Sequence, residues 1–270
     1  MRIAQISTLA TRVKPVGSGS VEGIIWLLTR ELVRLGHEVT VFAAAGSETD
    51  GEVVETLPGP YAEEGSPGDW QLCEWINISR AVEQSARFDV LHSHAYLWSM
   101  PLQHLSSAPI IHTTHVLAVE DSARLWEMYP QSYITATSRY QWSRFPDLNP
   151  PVVYYGVDSS QFTLQPEPKD YVCFFGRFIP GKGPLRAIAA AQALGLRLIM
   201  AGPANDYYRR HVEPLVDGKS VEYIGPIGGA ERNKLLGGAR ALLYPNEEPE
   251  PFGLVQVEAM LCGTPVVATR

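Results

Sequence analysis

The chain has 270 residues, 45% of them hydrophobic, which is enough to bury a core of two domains of ordinary size. Its formal net charge of −7 offers no global basic field to attract DNA or RNA, so nucleic-acid binding is excluded as the main reading. The three cysteines, Cys73, Cys173 and Cys262, lie far apart without a paired motif, which argues against a disulfide framework or a thiolate metal site and for a reducing, cytoplasmic setting.

In chain order, Arg2 to Ser7 reads as a strand too short for a secretory segment, and Val21 to Leu35 as an amphipathic helix stopped by Gly36. Glu38 to Ala43 then reads as a second strand, so the opening segment is a βαβ unit with parallel strands. A helix is expected over Trp70 to Ala86, and strands over Asp89 to His94, Pro109 to Thr114, Tyr133 to Ala136 and Val152 to Tyr155. Gln161 to Asp170, with two prolines and little periodicity, is the expected linker. The theme repeats with strands near Tyr171, Arg197 to Ala201, Val221 to Ile224, Ala241 to Tyr244 and Pro265 to Ala268. The fold class is α/β: two doubly wound domains, 1–160 and 161–270, facing across a cleft into which the strand carboxyl ends point. No covering helix follows Pro265 to Ala268, so the second domain is expected to be incomplete in this chain.

Four groups of residues could carry chemistry. Asn246 to Pro251 is an acidic, proline-containing loop ahead of a helix expected to start near Phe252. The first amides there, at Gly253, Leu254 and Val255, lack intrahelical partners and suit an anionic or hydroxyl-rich ligand, with Glu250 before them and Glu258 two turns in. Arg177 and Lys182, leaving a strand through a Pro-Gly turn, form a candidate phosphate pocket. Gly17 and Gly19 belong to a glycine-rich loop between the first strand and helix, where the backbone can approach a ligand closely. Its spacing departs from the dinucleotide fingerprint, and no acid ends the second strand, so a dehydrogenase is not expected. His92, His94, His112 and His115 sit on or after two adjacent strands; no carboxylate has ligand spacing beside them, so zinc is rejected and no metal is expected.

Glu250-Pro251-Phe252-Gly253, Glu258-Ala259-Met260 and Gly263-Thr264-Pro265-Val266-Val267 together resemble the Glu-x7-Glu element of family 4 retaining glycosyltransferases, and the likeness extends in order over nearly the whole chain. The resemblance implies the GT-B architecture, with an acceptor-binding first domain and a nucleotide-sugar-binding second domain. It gives Glu250 the donor sugar, Glu258 the ribose hydroxyls, and Arg177 and Lys182 the diphosphate. Phe252, Gly253, Leu254, Val255, Gly17 and Gly19 fall near the donor. His115 matches the family's active-site histidine, and His94 is a candidate on the acceptor side. Asn233 to Leu236 loosely resembles the family's base-binding turn and helix. No Asp-x-Asp clamp occurs, so the expectation is a metal-independent, cofactor-free, retaining hexosyltransferase using a UDP-sugar such as UDP-glucose on an unidentified acceptor. The alternative is a non-catalytic sugar-nucleotide-binding or assembly subunit, completed by a partner chain or a second copy. A phosphorylase is disfavoured because no lysine stands out as a cofactor anchor.

Overall fold

The computed structural model describes residues 1–17, 19–63 and 69–269, and it divides into two compact units, Met1–Gly156 and Val157–Arg270. The first is built from β1 (Arg2–Ile6), α1 (Ser20–Arg34), β2 (Glu38–Ala44), β3 (Glu52–Leu57), α2 (Trp70–Glu83), β4 (Val90–Ser93), β5 (Ile110–Thr114), α3 (Glu120–Met128) and β6 (Tyr133–Ala136). Its six strands are all parallel, in the order β3-β2-β1-β4-β5-β6, the doubly wound order with its reversal between β1 and β4.

The long apolar runs arise because both faces of this sheet are covered. Residues alternate between two clusters: Ile3, Val39, Val41 and Ala43 pack with Ile25 of α1, whereas Ala4, Ile6 and Phe42 pack with Ile78 and Ala81 of α2. The strand β3 had no counterpart in the expected elements; it pairs only on one side, with β2, and no residue in it is fully buried. The expected strand Val152 to Tyr155 shrinks to one bridge, Ala136 with Val152, because Pro150 and Pro151 supply no amide donors. The helix expected to reach Ala86 ends at Glu83 and gives way to a short turn of 3-10 helix, Ser85–Arg87.

The second unit comprises β7 (Val172–Phe175), α4 (Pro184–Ala193), β8 (Leu198–Ala201), β9 (Val221–Tyr223), α5 (Gly229–Gly238), β10 (Leu242–Tyr244), α6 (Leu254–Leu261) and β11 (Val266–Ala268). The order is β11-β10-β7-β8-β9, again all parallel, with the reversal between β7 and β10. Val172, Phe174, Leu198 and Met200 face one cluster around Phe178 and Ile188, while Cys173, Ala201 and Leu242 face the other around Leu236 and Ala259. Gln161 to Asp170, expected as the linker, instead packs onto this unit. Phe162 joins its core, the Thr163 amide donates to Asn233 Oδ1 at 3.0 Å, and the Gln165 amide donates to the Cys262 carbonyl at 3.0 Å. The chain therefore changes units nearer Gly156 than the expected residue 160. On the outer strand β11, Val267 is 57% exposed. All three cysteines are free and buried, and no helix among the described residues is long and apolar enough to cross a membrane.

Two local constraints generate tests. Gly183 caps α4 in the left-handed region at φ 65°, and a Cβ there would lie 2.0 Å from the Pro245 carbonyl oxygen. Gly183→Ala is expected to lower unfolding stability by roughly 2 kcal/mol or more, from left-handed strain plus displacement of the β10 loop. An unchanged denaturant midpoint would contradict the close approach.

Glu74 on α2 is fully buried; Oε1 accepts from the Leu9 amide at 2.9 Å, and the Tyr61 side chain lies beside the carboxyl group. Burial raises its pKa to about 7. Its folded pKa thus lies above the unfolded one, so its favourable contribution is complete below the unfolded carboxylate range and is lost as pH rises towards 7. Relative to the wild type, Glu74→Gln is expected to gain stability between pH 4.5 and 7 and then level off, as read by urea melts across that range; parallel pH profiles would refute it.

Candidate functional site

In a parallel sheet, loops leaving the strand carboxyl ends gather at one edge, and the order reversal opens a crevice there. In the second unit the crevice lies between the ends of β7 and β10, and it receives most of the donor-side candidates. Lys182 comes from the turn Pro180–Lys182 after β7 and Glu250 from the loop after β10; their Nζ and Oε2 are in direct contact, with both side chains partly buried. The same Oε2 accepts from the Tyr244 hydroxyl at 3.0 Å and from Asn246 Nδ2 at 3.2 Å. Lys182 Nζ also sits 5.6 Å from the centre of the Tyr244 ring, a cation–π arrangement.

The loop that carries Glu250 is tied to the turn that carries Lys182. The amides of Glu247 and Glu248 donate to the Gly181 carbonyl at 2.9 and 3.2 Å, and Arg186 pairs with Glu247 at 2.9 Å. Burial, then the neighbouring Arg177 guanidinium, lower the Lys182 pKa to about 8, and Glu248 opposes them. Contact with the Glu250 carboxylate also favours the charged form. Arg177, on the exposed stretch just after β7, is the cation available to the crevice.

The helix expected to open near Phe252 begins at Leu254, because Gly253 adopts a left-handed conformation, φ 85°, as its N-cap. The unpaired first amides are therefore those of Leu254 and Val255, with Gln256 closing onto the Gly253 carbonyl at 3.0 Å. Glu258 is 7% exposed and pairs with Arg232 of α5 at 3.1 Å; burial raises its pKa and Arg232 opposes the rise. Arg232 in turn lies 5.5 Å over the Phe162 ring. Sequence reasoning missed Arg232: its neighbour Asn233 carried the loose resemblance, and nothing local links position 232 to position 258.

In the first unit the crevice lies between β1 and β4. His94 is 2% exposed; its Nε2 meets Gln5 Oε1 at 2.7 Å and its Nδ1 meets His115 Nε2 at 2.9 Å. Since a carbonyl oxygen only accepts, His94 carries its proton on Nε2, His115 donates through Nε2, and the Tyr155 hydroxyl donates to His115 Nδ1. His92 Nε2 meets Thr113 Oγ1 at 2.7 Å, and Ser99 Oγ meets His112 Nδ1 at 2.9 Å. Burial lowers His92 to about 4, His112 and His115 to about 3, and His94 well below the ordinary value. All four are neutral near pH 7. Both ring nitrogens of His94 are occupied, so this residue reaches a ligand only through His115. Among the described residues, no group of three His, Cys, Asp or Glu side chains could hold a metal ion.

The glycine loop is anchored rather than slack. Glu22, in the first turn of α1, is 2% exposed and folds back to accept from Thr8 Oγ1 at 2.9 Å and the Thr11 amide at 3.1 Å. The Gly19 amide donates to Thr11 Oγ1 at 2.6 Å, and a Cβ on Gly19 would lie 2.4 Å from Glu22 Oε2. Gly17 lies on the same loop, beside Lys14.

Comparison with known proteins agrees with this layout. Residues 21–159 match the description Glycosyltransferase Family 4, and residues 158–270 match Glycosyl transferases group 1. The D-inositol 3-phosphate glycosyltransferase of Mycolicibacterium smegmatis is 28% identical over an alignment that spans 99% of this chain and 75% of that protein. Its namesake from Corynebacterium efficiens is also 28% identical, over 100% and 79%. Among solved structures, a glycosyltransferase involved in avilamycin A biosynthesis superposes with a TM-score of 0.71 at 27% identity, covering 99% of this chain and 78% of that one. A sucrose-phosphate synthase from Thermosynechococcus elongatus shares the fold, with a TM-score of 0.76 at 21% identity and coverage of 99% and 80%. The two parallel sheets are the Rossmann-like halves of a GT-B glycosyltransferase, and the chain belongs to glycosyltransferase family 4.

Proposed function

We propose that this glycosyltransferase moves a sugar from a UDP-sugar to an acceptor with retention of anomeric configuration and without a metal ion. The carrying observation is the convergence of Lys182, Tyr244 and Asn246 on one oxygen of Glu250, with Arg177 close to Lys182. Lys182 and Arg177 are the cations for the diphosphate, aided by the Leu254 and Val255 amides; they stabilise the charge that develops on the departing nucleotide.

The resting contact between Lys182 and Glu250 has a consequence for the donor. A diphosphate competes for the ammonium, and Glu250 is then turned to the hydroxyls of the sugar while Tyr244 and Asn246 still hold it in place. Glu258, paired with Arg232, serves the ribose hydroxyls. His115 borders the sugar as a neutral ring, its two nitrogens held by His94 and Tyr155. A solved homologous fold from Anabaena, 20% identical, was crystallised with UDP and glucose, which supports UDP as the first donor base to try. The cytoplasmic setting is proposed on the free, buried cysteines.

Two measurements check this reading. Calorimetric titration with UDP and GDP is expected to show UDP preferred, with affinity falling at least tenfold, about 1.4 kcal/mol, in Arg177→Ala and in Glu258→Ala. Equal weak binding of both nucleotides, insensitive to either variant, would refute the donor site. With UDP-glucose as donor, Lys182→Ala is expected to lower kcat by roughly a hundredfold or more, the scale of losing one charge-stabilising group. Proton NMR of the product should show the donor's anomeric configuration; inversion would overturn the mechanism.

A further inference from the structure

Four aromatic side chains, far apart in sequence, meet at the carboxyl-end edge of the first sheet. Tyr61 follows β3, Trp70 opens α2, and Tyr96 and Trp98 follow β4. Trp70 is the hub: its ring centre lies 6.1 Å from Tyr61, 6.1 Å from Tyr96 and 5.3 Å from Trp98. Tyr96 and Trp98 stack at 5.0 Å with their planes 24° apart. Core packing alone would bury such rings, yet Trp70 is 39% exposed and the α2 residue Trp75 is 38% exposed.

The backbone beneath the cluster is strained. Tyr96 has φ 53°, the one non-glycine residue with positive φ among the described residues. For a bulky aromatic residue this conformation costs of order 1–3 kcal/mol and persists where the surroundings require it, commonly at ligand sites. It occurs two residues after His94, whose carbonyl accepts from the Tyr96 amide at 3.0 Å, so the strain lies beside the hydrogen-bond chain that ends at His115.

The charge around the wall is one-sided. No lysine or arginine occurs between residues 36 and 79 or between 88 and 123, the stretches that supply all four rings. The adjoining ionisable groups are acids: Asp69, whose side chain caps α2, and the buried Glu74 beneath Tyr61. Arg12, which reaches this side, is already paired with Glu63 and donates to the Ala45 carbonyl at 3.0 Å. The stretches that carry the rings thus bring no cation to a phosphorylated acceptor, and Arg12 is engaged by an acid. A neutral pyranose fits: its axial C–H face lies against an aromatic face, and its hydroxyls meet the tyrosine and indole donors at the rim.

We propose that the wall formed by Tyr61, Trp70, Tyr96 and Trp98 is the acceptor subsite, and that it takes a neutral saccharide or glycoside with a sugar ring stacked on Trp70. The inference rests on the transferase reading and adds to it the chemical class of the acceptor. It separates this chain from the relatives named for D-inositol 3-phosphate, whose acceptor carries a dianionic group.

The test titrates maltotriose, cellotriose and mannotriose, with D-inositol 3-phosphate as the anionic comparator, into the full chain saturated with UDP, following tryptophan emission. At least one trisaccharide is expected to change the emission saturably, with affinity reduced tenfold or more in Trp70→Ala and restored to within about threefold in Trp70→Phe. UDP affinity, measured by calorimetry, should be the same in all three proteins. The proposal is overturned if no trisaccharide responds while UDP binds normally, or if D-inositol 3-phosphate binds and Trp70→Ala leaves its affinity unchanged. A sugar response retained without UDP binding would support the wall and defeat the donor reading instead.

Discussion

Parallel strand connectivity is the constraint from which both candidate sites follow. Within each sheet all strands are parallel, so that sheet's carboxyl ends lie at one edge, and only where the order reverses do neighbouring strands send their loops to opposite faces. In the second unit β7 and β10 pair through a single register contact, Leu242 with Cys173, before their chains part. The gap so opened is where Lys182 and Glu250 meet, and their loops are held by backbone bonds to Gly181. In the first unit the same reversal brings Gln5 of β1 to His94 just after β4. Neither contact is local in sequence; each is a product of topology.

The two units differ in the sort of electrostatics they offer. The second presents cations held close to acids: Lys182 with Glu250, Arg186 with Glu247, Arg232 with Glu258. Of these, Lys182–Glu250 and Arg232–Glu258 are partly buried, and such pairs contribute little to stability because desolvation offsets attraction, but they keep charged groups fixed and ready to exchange partners. The first unit buries its four histidines in their neutral forms. Glu74 is raised to about 7 and four histidines are lowered, so this face recognises through hydrogen bonds and apolar contact instead of charge.

Much of this was legible in the sequence, for identifiable reasons. Strands covered on both faces are near-continuous apolar runs, so β1, β2, β7 and β8 stand out, whereas β3, half exposed at an edge and written Glu-Val-Val-Glu-Thr-Leu, does not. Glu250, Glu258, Arg177 and Lys182 fall in compact motifs, which is why they could be named before any geometry. The helix start was misplaced by two residues because Phe252 is apolar and helix-compatible, and nothing local shows that Gly253 turns left-handed. Arg232 and the four rings of the aromatic wall lie in different segments and meet only through tertiary packing, so single-sequence periodicity carried no trace of them.

The neutral histidine chain also bears on where the acceptor's proton goes. A group with a pKa of about 3, as at His115, is a poor base near neutral pH, since proton affinity and pKa fall together. Its Nδ1 accepts from Tyr155 and its Nε2 donates to His94, so both lone-pair and proton positions are committed. Once a diphosphate takes Lys182, Glu250 still accepts from Tyr244 and Asn246 and, on the proposed reading, is occupied with the sugar hydroxyls. In the proposed transfer the acceptor's proton would go to an oxygen of the donor's own diphosphate, whose basicity rises as the bond to the sugar breaks. Under that proposal Arg177 and Lys182 would have two tasks, holding the leaving group and keeping that oxygen on the face from which the acceptor attacks, the geometry a retaining transfer requires.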